Sequence, residues 1–150
     1  MDKQDLGILD SLQKDARISN VSLAETIHLS PAPCLRRVRE LERQGVISSY
    51  TTILNPELLG WNVSAFIEIR LEKQVLSYIE IFEKTIQKYP EIMECYQMTG
   101  TSDYLLRIVA KDLPSLQTFI TEKLATIPNV ANMHSSIALK QVKYKTALPL

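Results

Sequence analysis

Residues 21–45, VSLAETIHLSPAPCLRRVRELERQG, carry the reading on which the rest of the chain depends. The stretch divides into two short helices around a tight turn. Ser22 stands where an N-cap would stand for Leu23 to Ile27, and Glu25 follows three residues later in the pattern of a capping box. His28, Leu29 and Ser30 make the turn, and Ser30 followed by Pro31 is a second helix-start signal. In the helix that follows, Cys34, Leu35, Val38 and Leu41 fall within an arc of about 120°, while Arg36, Arg39 and Arg43 cluster on the opposite side. One face is built to pack and the other to present cations. Gly45 occupies the place of a left-handed cap residue, after which Val46 and Ile47 lead back to the core.

Before this pair, Asp2 to Asp15 reads as a helix, with Leu6, Leu9 and Leu12 at three-residue spacing and Ile8 widening the stripe. After it, Ser48 to Ile53 is rich in β-forming residues and suits a short wing or linker strand. Asn55-Pro56 and Gly60 are breakers and set a boundary, with a winged helix-turn-helix domain and linker over residues 1–60 and a second domain over 61–150.

Beyond Trp61 the period changes from helical spacing to alternation. Val63, Ala65, Ile67, Ile69 and Leu71 point one way in a half-buried strand. Leu76 to Tyr89 returns to helical spacing until Pro90. Ile92 to Met98 and Tyr104 to Ala110 are strands joined by the turn-rich Thr99 to Asp103. Leu113 to Ile127 is a helix with Asp112 as its cap, and Val130 to Tyr144 supplies the last strand or strands. The fold class is α+β, and the order of strand, helix, strand, strand, helix, strand is the ferredoxin-like (βαββαβ) arrangement. Its two helices cover one sheet face, and a dimer partner is the simplest cover for the other.

Composition narrows the function. The chain carries 17 basic and 17 acidic residues, so it is no general polycation. Residues 1–60 hold seven Lys or Arg against eight Asp or Glu, yet four of those seven lie between positions 36 and 43. Any nucleic-acid contact must therefore come from local charge. No apolar run approaches the roughly 18 residues of a membrane span, and the N-terminus lacks a basic-then-hydrophobic leader, which together point to a cytoplasmic protein. Cys34 and Cys95 both sit in apolar patterns and read as reduced, buried thiols. The only histidines, His28 and His134, have no metal-ligand spacing and no catalytic partners, so neither an enzyme nor a bound metal or cofactor is expected. The strand YLLRIVA, residues 104–110, lacks the aromatic signature of sheet-based RNA readers.

An arginine-bearing helix is by itself most often a solvated face, here with Glu40 and Glu42 to pair with. The preceding turn and helix favour a DNA reader instead. The expected DNA contacts are Ser22, Ser30, Ala32, Arg36, Arg37, Arg39 and Arg43, with Arg36 and Arg37 nearest base edges and phosphates and Arg43 on the backbone or in a local ion pair. Pro31 and Pro33 supply no N–H, which leaves this helix start poor in phosphate-binding amides.

From about Asp5 to Leu150 the chain resembles the Lrp/AsnC, or feast/famine, transcription regulators. The likeness rests on LDSLQKDARIS, SLAETIHLS, RRVRELERQGVISSY, NPELLG, TGTSDYLLRIVAKDL and SSIALKQVKYKTALPL. It implies a winged helix-turn-helix joined to a sensor domain, often called the RAM domain, whose dimers assemble further, frequently as four dimers in an octamer, and which answers to an amino-acid effector. The family loop commonly reads Gly-Asp-x-Asp, whereas Gly100-Thr101-Ser102-Asp103 stands here and lacks one carboxylate.

The plain reading of that loop is a hairpin turn, with Gly100 present for positive φ. As an effector site, the amides of Gly100 and Thr101 would hold a carboxylate and Asp103 an ammonium group. Met98, Leu105, Leu124, Ile127, Val130 and Ile137 would line the side-chain pocket, which favours leucine or methionine over polar amino acids. The function expected is a sequence-specific, DNA-binding transcriptional regulator that responds to an amino acid. The rival is an architectural protein that wraps double-stranded DNA without any effector.

Overall fold

In the computed structural model, which describes residues 1–150, the chain packs as two units, residues 1–53 with 142–150 and residues 54–141. In the first unit, α1 (Lys3–Lys14) is opened by Asp2, whose carboxylate accepts from the Gln4 and Asp5 amides while Asp5 returns a bond to the Asp2 N–H. Ile8 is fully buried in the core of this unit, whereas Leu6, first in the expected stripe, is 36% exposed. The helix thus buries the arc through Ile8, Leu9 and Leu12.

α2 (Asn20–Thr26) begins three residues earlier than the capping pattern indicates. Ser19 is its N-cap, and Ser22 donates its own N–H to Ser19 Oγ at 3.1 Å, so the Ser22–Glu25 box does not form. His28, at φ +56°, makes the turn. α3 (Pro31–Arg43) starts as expected behind Ser30. The Ser30 side chain makes no capping bond, and the reason is local: Pro33 removes the amide of the third helical residue, one of the two such a cap normally reaches. Asn20 Nδ2 donates to the Pro31 carbonyl at 2.8 Å and fastens the start of α2 to the start of α3.

On α3, Cys34 and Leu41 are buried and Val38 packs behind them, but Leu35 is 37% exposed at the rim of the arginine face. Gly45 caps the helix at φ +73°, with the Val46 and Ile47 amides both returning to the Leu41 carbonyl. Val46 then turns outward and only Ile47 packs on the core. The wing strand expected over Ser48 to Ile53 is not formed: no neighbouring strand supplies a ladder, and Tyr50 is held by its hydroxyl on Glu42 instead. Residues 142–150 join this unit, where the Leu148 N–H donates to Gln13 Oε1 at 2.7 Å and Gln13 Nε2 donates to the Leu148 carbonyl.

The second unit is ferredoxin-like. β1 (Val63–Leu71), β2 (Ile92–Gln97), β3 (Tyr104–Ala110) and β4 (Val130–Ile137) form one antiparallel sheet in the order β2-β3-β1-β4. Ala65, Ile67, Ile69 and Leu71 of β1 and Tyr104, Leu106, Ile108 and Ala110 of β3 alternate onto one face. There they meet Phe82 and Ile86 of α4 (Leu76–Ile86) and Leu116 and Phe119 of α5 (Leu113–Phe119). Asp112 caps α5 by accepting from the Ser115 N–H. The long second helix of the sequence reading is interrupted: residues Ile120–Leu124 form a π turn, closed by the Ala125 N–H on the Ile120 carbonyl at 2.9 Å. β4 ends at Ile137, short of Tyr144. Cys34 is buried, Cys95 half-buried, and both thiols are free.

Because Ile8 is enclosed and Leu6 is not, Ile8→Ala should destabilise the protein by about 2–5 kcal/mol and Leu6→Ala by no more than about 0.5 kcal/mol. Urea unfolding of the two variants checks this, and equal effects would reassign the buried face of α1.

Candidate functional site

The first candidate surface is the outer face of α3. Ala32, Leu35, Arg36, Arg39 and Arg43 line one shallow depression together with Glu40. The arginines differ in their partners. Arg43 is bonded through Nε and Nη2 to Glu40, and this pair, with Gln44, holds the Glu40 carboxyl down to about 2. Arg37 leaves the depression altogether: its Nη1 lies 2.8 Å from Asp2 Oδ2 and 2.7 Å from Asp5 Oδ1. Arg36 and Arg39 lie outside these ion pairs with exposed side chains. The expected reading pair of Arg36 and Arg37 is therefore split, because Arg37 sits one residue further round the helix and faces α1. Ser22 and Ser30 are exposed near the helix starts.

The second candidate lies where the β2–β3 hairpin meets the end of β1. Gly100, at φ +114°, lets the hairpin turn, and the Met98 N–H closes it on the Asp103 carbonyl at 2.8 Å. The Asp103 amide donates to the Ile69 carbonyl. Its carboxylate accepts from the Leu71 N–H at 2.7 Å and from Gln74 Nε2 at 2.6 Å. Ser102 Oγ reaches Glu68 at 2.9 Å. Beneath this knot is a cavity of about 280 Å³ with Met98, Gly100 and Asp103 in its wall. That size lies just under the roughly 300–1,000 Å³ of drug-sized ligand pockets and suits a smaller molecule.

The remaining expected effector residues do not gather here. Thr101 projects from the exposed loop, and half-buried Leu105 belongs to the face of β3 opposite the helices. Leu124 and Ile127 are sealed in the core, and Val130 packs against it. Ile137 lines a separate apolar groove with Leu113, Leu116 and Ile120. Apolar character is what Leu105, Leu124, Ile127, Val130 and Ile137 share, and the sheet order disperses them. The cavity wall is completed by Leu71, Gln74, Ile79, Gln97, Thr99 and Tyr104, which the sequence reading missed. The antiparallel pairing of β1 with β3 is the signal that would have found Leu71.

A helix-turn-helix with a cationic face, together with a ferredoxin-like unit holding a small cavity, defines a ligand-responsive DNA-binding protein as the class. The comparisons agree at both ends of the chain. The winged helix-turn-helix DNA-binding family matches residues 1–48, and the Lrp/AsnC ligand-binding domain matches residues 64–148. The chain is 45% identical to the Bkd operon transcriptional regulator of Pseudomonas aeruginosa, covering 100% of this chain and 98% of that one. It is 40% identical to the leucine-responsive regulatory protein of Escherichia coli K12, covering 99% and 90%. A transcriptional regulator from Neisseria meningitidis, solved with L-methionine, superposes at a TM-score of 0.95 with 36% identity, covering 99% and 96%. The chain belongs to the Lrp/AsnC family, whose members are transcriptional regulators and not enzymes.

Each Asp103 carboxylate oxygen accepts one bond from within the fold, and losing them sets a measurable cost. Asp103→Ala strands the Leu71 N–H at a residue only 4% exposed, and the second unit should lose about 1–3 kcal/mol in urea unfolding. Asp103→Asn keeps an oxygen for that amide and should lose less; the reverse order would mean that the carboxylate does not hold β1.

Proposed function

We propose that this protein is a sequence-specific transcriptional regulator that grips double-stranded DNA through α3 and answers to an apolar amino acid bound beneath the Gly100–Asp103 hairpin. The observation that carries the reading is the exposed pair Arg36 and Arg39 on a helix of the matched DNA-binding segment. Arg36 and Arg39 meet base edges and phosphates in the major groove, Ala32 lies against the groove, and Ser22 and Ser30 meet phosphate oxygens. Arg43, already on Glu40, contributes at the periphery.

In the sensor cavity the Asp103 carboxylate faces an ammonium group and the Gly100 loop amide a carboxylate. Leu71, Ile79 and Met98 offer apolar contacts for a leucine or methionine side chain in a wall that is otherwise polar, with Gln74, Gln97, Thr99 and Asp103. The relatives point the same way, one named leucine-responsive and one solved with L-methionine. The sheet face away from α4 and α5 carries Phe66, 38% exposed, and Tyr96, 52% exposed, and it supports a dimer that assembles further, up to an octamer. No helix is long and apolar enough to cross a membrane, and a regulator that reads chromosomal DNA works in the cytoplasm.

Arg36→Ala or Arg39→Ala should weaken binding to a duplex selected from a random pool by about 1–3 kcal/mol, with the salt slope lowered by about one wherever a phosphate contact is lost. Parent-like binding by both variants would overturn the reading of α3. For the sensor, leucine or methionine should raise the thermal midpoint more than aspartate or lysine does. DNA binding unaffected by any of the twenty amino acids would instead mark an architectural protein.

A further inference from the structure

Arg37 is the one basic side chain of α3 that turns toward the body of its unit. Its side chain is 30% exposed and that of its partner Asp5 only 16%. A single guanidinium nitrogen donates to Asp5 at 2.7 Å and to Asp2 at 2.8 Å, across more than thirty residues of sequence. The same two carboxylates form the capping box of α1. One cluster therefore terminates α1 and pins the middle of α3 to it. Both carboxylates share the charge of one cation, and the pairing raises the hold of the guanidinium on its proton. A phosphate arriving at Arg37 would have to displace two carboxylates and would meet their negative charge.

We propose that Arg37 is a positioning residue for DNA reading: it fixes the rotation of α3 on α1 so that Arg36 and Arg39 point outward together, and it does not itself touch DNA. The proposal rests on α3 being the reading helix. Removing the clamp frees α3 to roll on its apolar stripe, where Val38 is only partly buried, and such a roll turns Arg36 and Arg39 together away from their outward direction. Two opposite predictions separate a clamp from a direct contact. A clamp is weakened by neutralising Asp5, whereas an arginine that binds phosphate is released by it.

The test uses the full chain, the duplex that the parent selects from a random pool, and a temperature at which circular dichroism shows every variant folded. Arg37→Met should raise Kd about tenfold, the scale expected on losing a charge-assisted bond, and leave the dependence of log Kd on log salt unchanged. Asp5→Asn, which keeps an oxygen for the Asp2 N–H, should also raise Kd. The double variant should be no worse than Arg37→Met alone, since both changes break one interaction. A salt slope reduced by about 0.9 in Arg37→Met, or tighter binding in Asp5→Asn, would make Arg37 a phosphate contact and overturn the proposal. Unchanged Kd in both single variants would overturn it as well, and would reduce the cluster to a stabilising ion pair. A parent that selects no duplex, or an Arg36→Ala variant that binds as the parent does, would instead sink the reading of α3 on which the clamp depends.

Discussion

β1 is hydrogen-bonded along both edges, to β3 on one side and β4 on the other, and the sensor unit follows from that double pairing. A strand held on both edges cannot slip by a residue without turning its apolar set to the wrong face. Ala65, Ile67, Ile69 and Leu71 are thereby committed to α4 and α5, while Phe66, Glu68 and Arg70 are committed to the opposite face. The same register brings Ile69 opposite Tyr104, so the hairpin from β2 to β3 arrives where β1 ends. Asp103 then closes the corner by taking the Leu71 amide, and the cavity is the space left below it. The candidate effector site is a consequence of strand register more than of any motif.

A second constraint is electrostatic. The DNA-binding segment is close to neutral in bulk, yet α3 shows an outward cationic face because its acids are assigned to specific partners. Asp2 and Asp5 are drawn to Arg37 on the inner side. Glu40 remains on the outer side but is bound to Arg43, with its carboxyl held far below the ordinary range, so it stays ionised and that pair cancels locally. Arg36 and Arg39 are what remains. Counting charges along the chain hides this sorting, since a near-neutral segment and a cationic face are compatible only when positions are known.

Both units place their functional groups on rigid elements braced by short polar contacts. Asn20 on the Pro31 carbonyl and Arg37 on Asp5 fix α3 from either end of its first two turns. Gln74 and Asp103 do the same for the end of β1. In each case the apolar core sets which face is inward, and a few hydrogen bonds set the remaining rotation. Such an arrangement matches what recognition of a fixed ligand requires, because a loosely held reading helix or loop would have to be ordered at the moment of binding.

The sequence by itself determined the element order, the alternating faces of β1 and β3, the helix-turn-helix with its arginine cluster and the glycine turns, because these depend on neighbours within a few residues and on the helical and strand periods. It also grouped Met98, Gly100 and Asp103, which share one cavity wall because they flank one turn. What it could not settle were choices between equally good local options. Ser19 and Ser22 are both competent caps, and Leu6 and Ile8 both extend a plausible stripe; packing against α2 and α3 decided between them. The missing strand at Ser48 to Ile53 turns on a pairing partner remote in sequence, and the helical spacing of Leu113 to Ile127 carries no mark of the π turn at Ile120–Leu124. Only the tertiary structure put Leu71, Ile79 and Tyr104 in one cavity wall and turned Arg37 from an exposed cation into the partner of Asp5. A side chain's type is a local property, but whether its charge faces solvent or a carboxylate is fixed by the crossing of two helices.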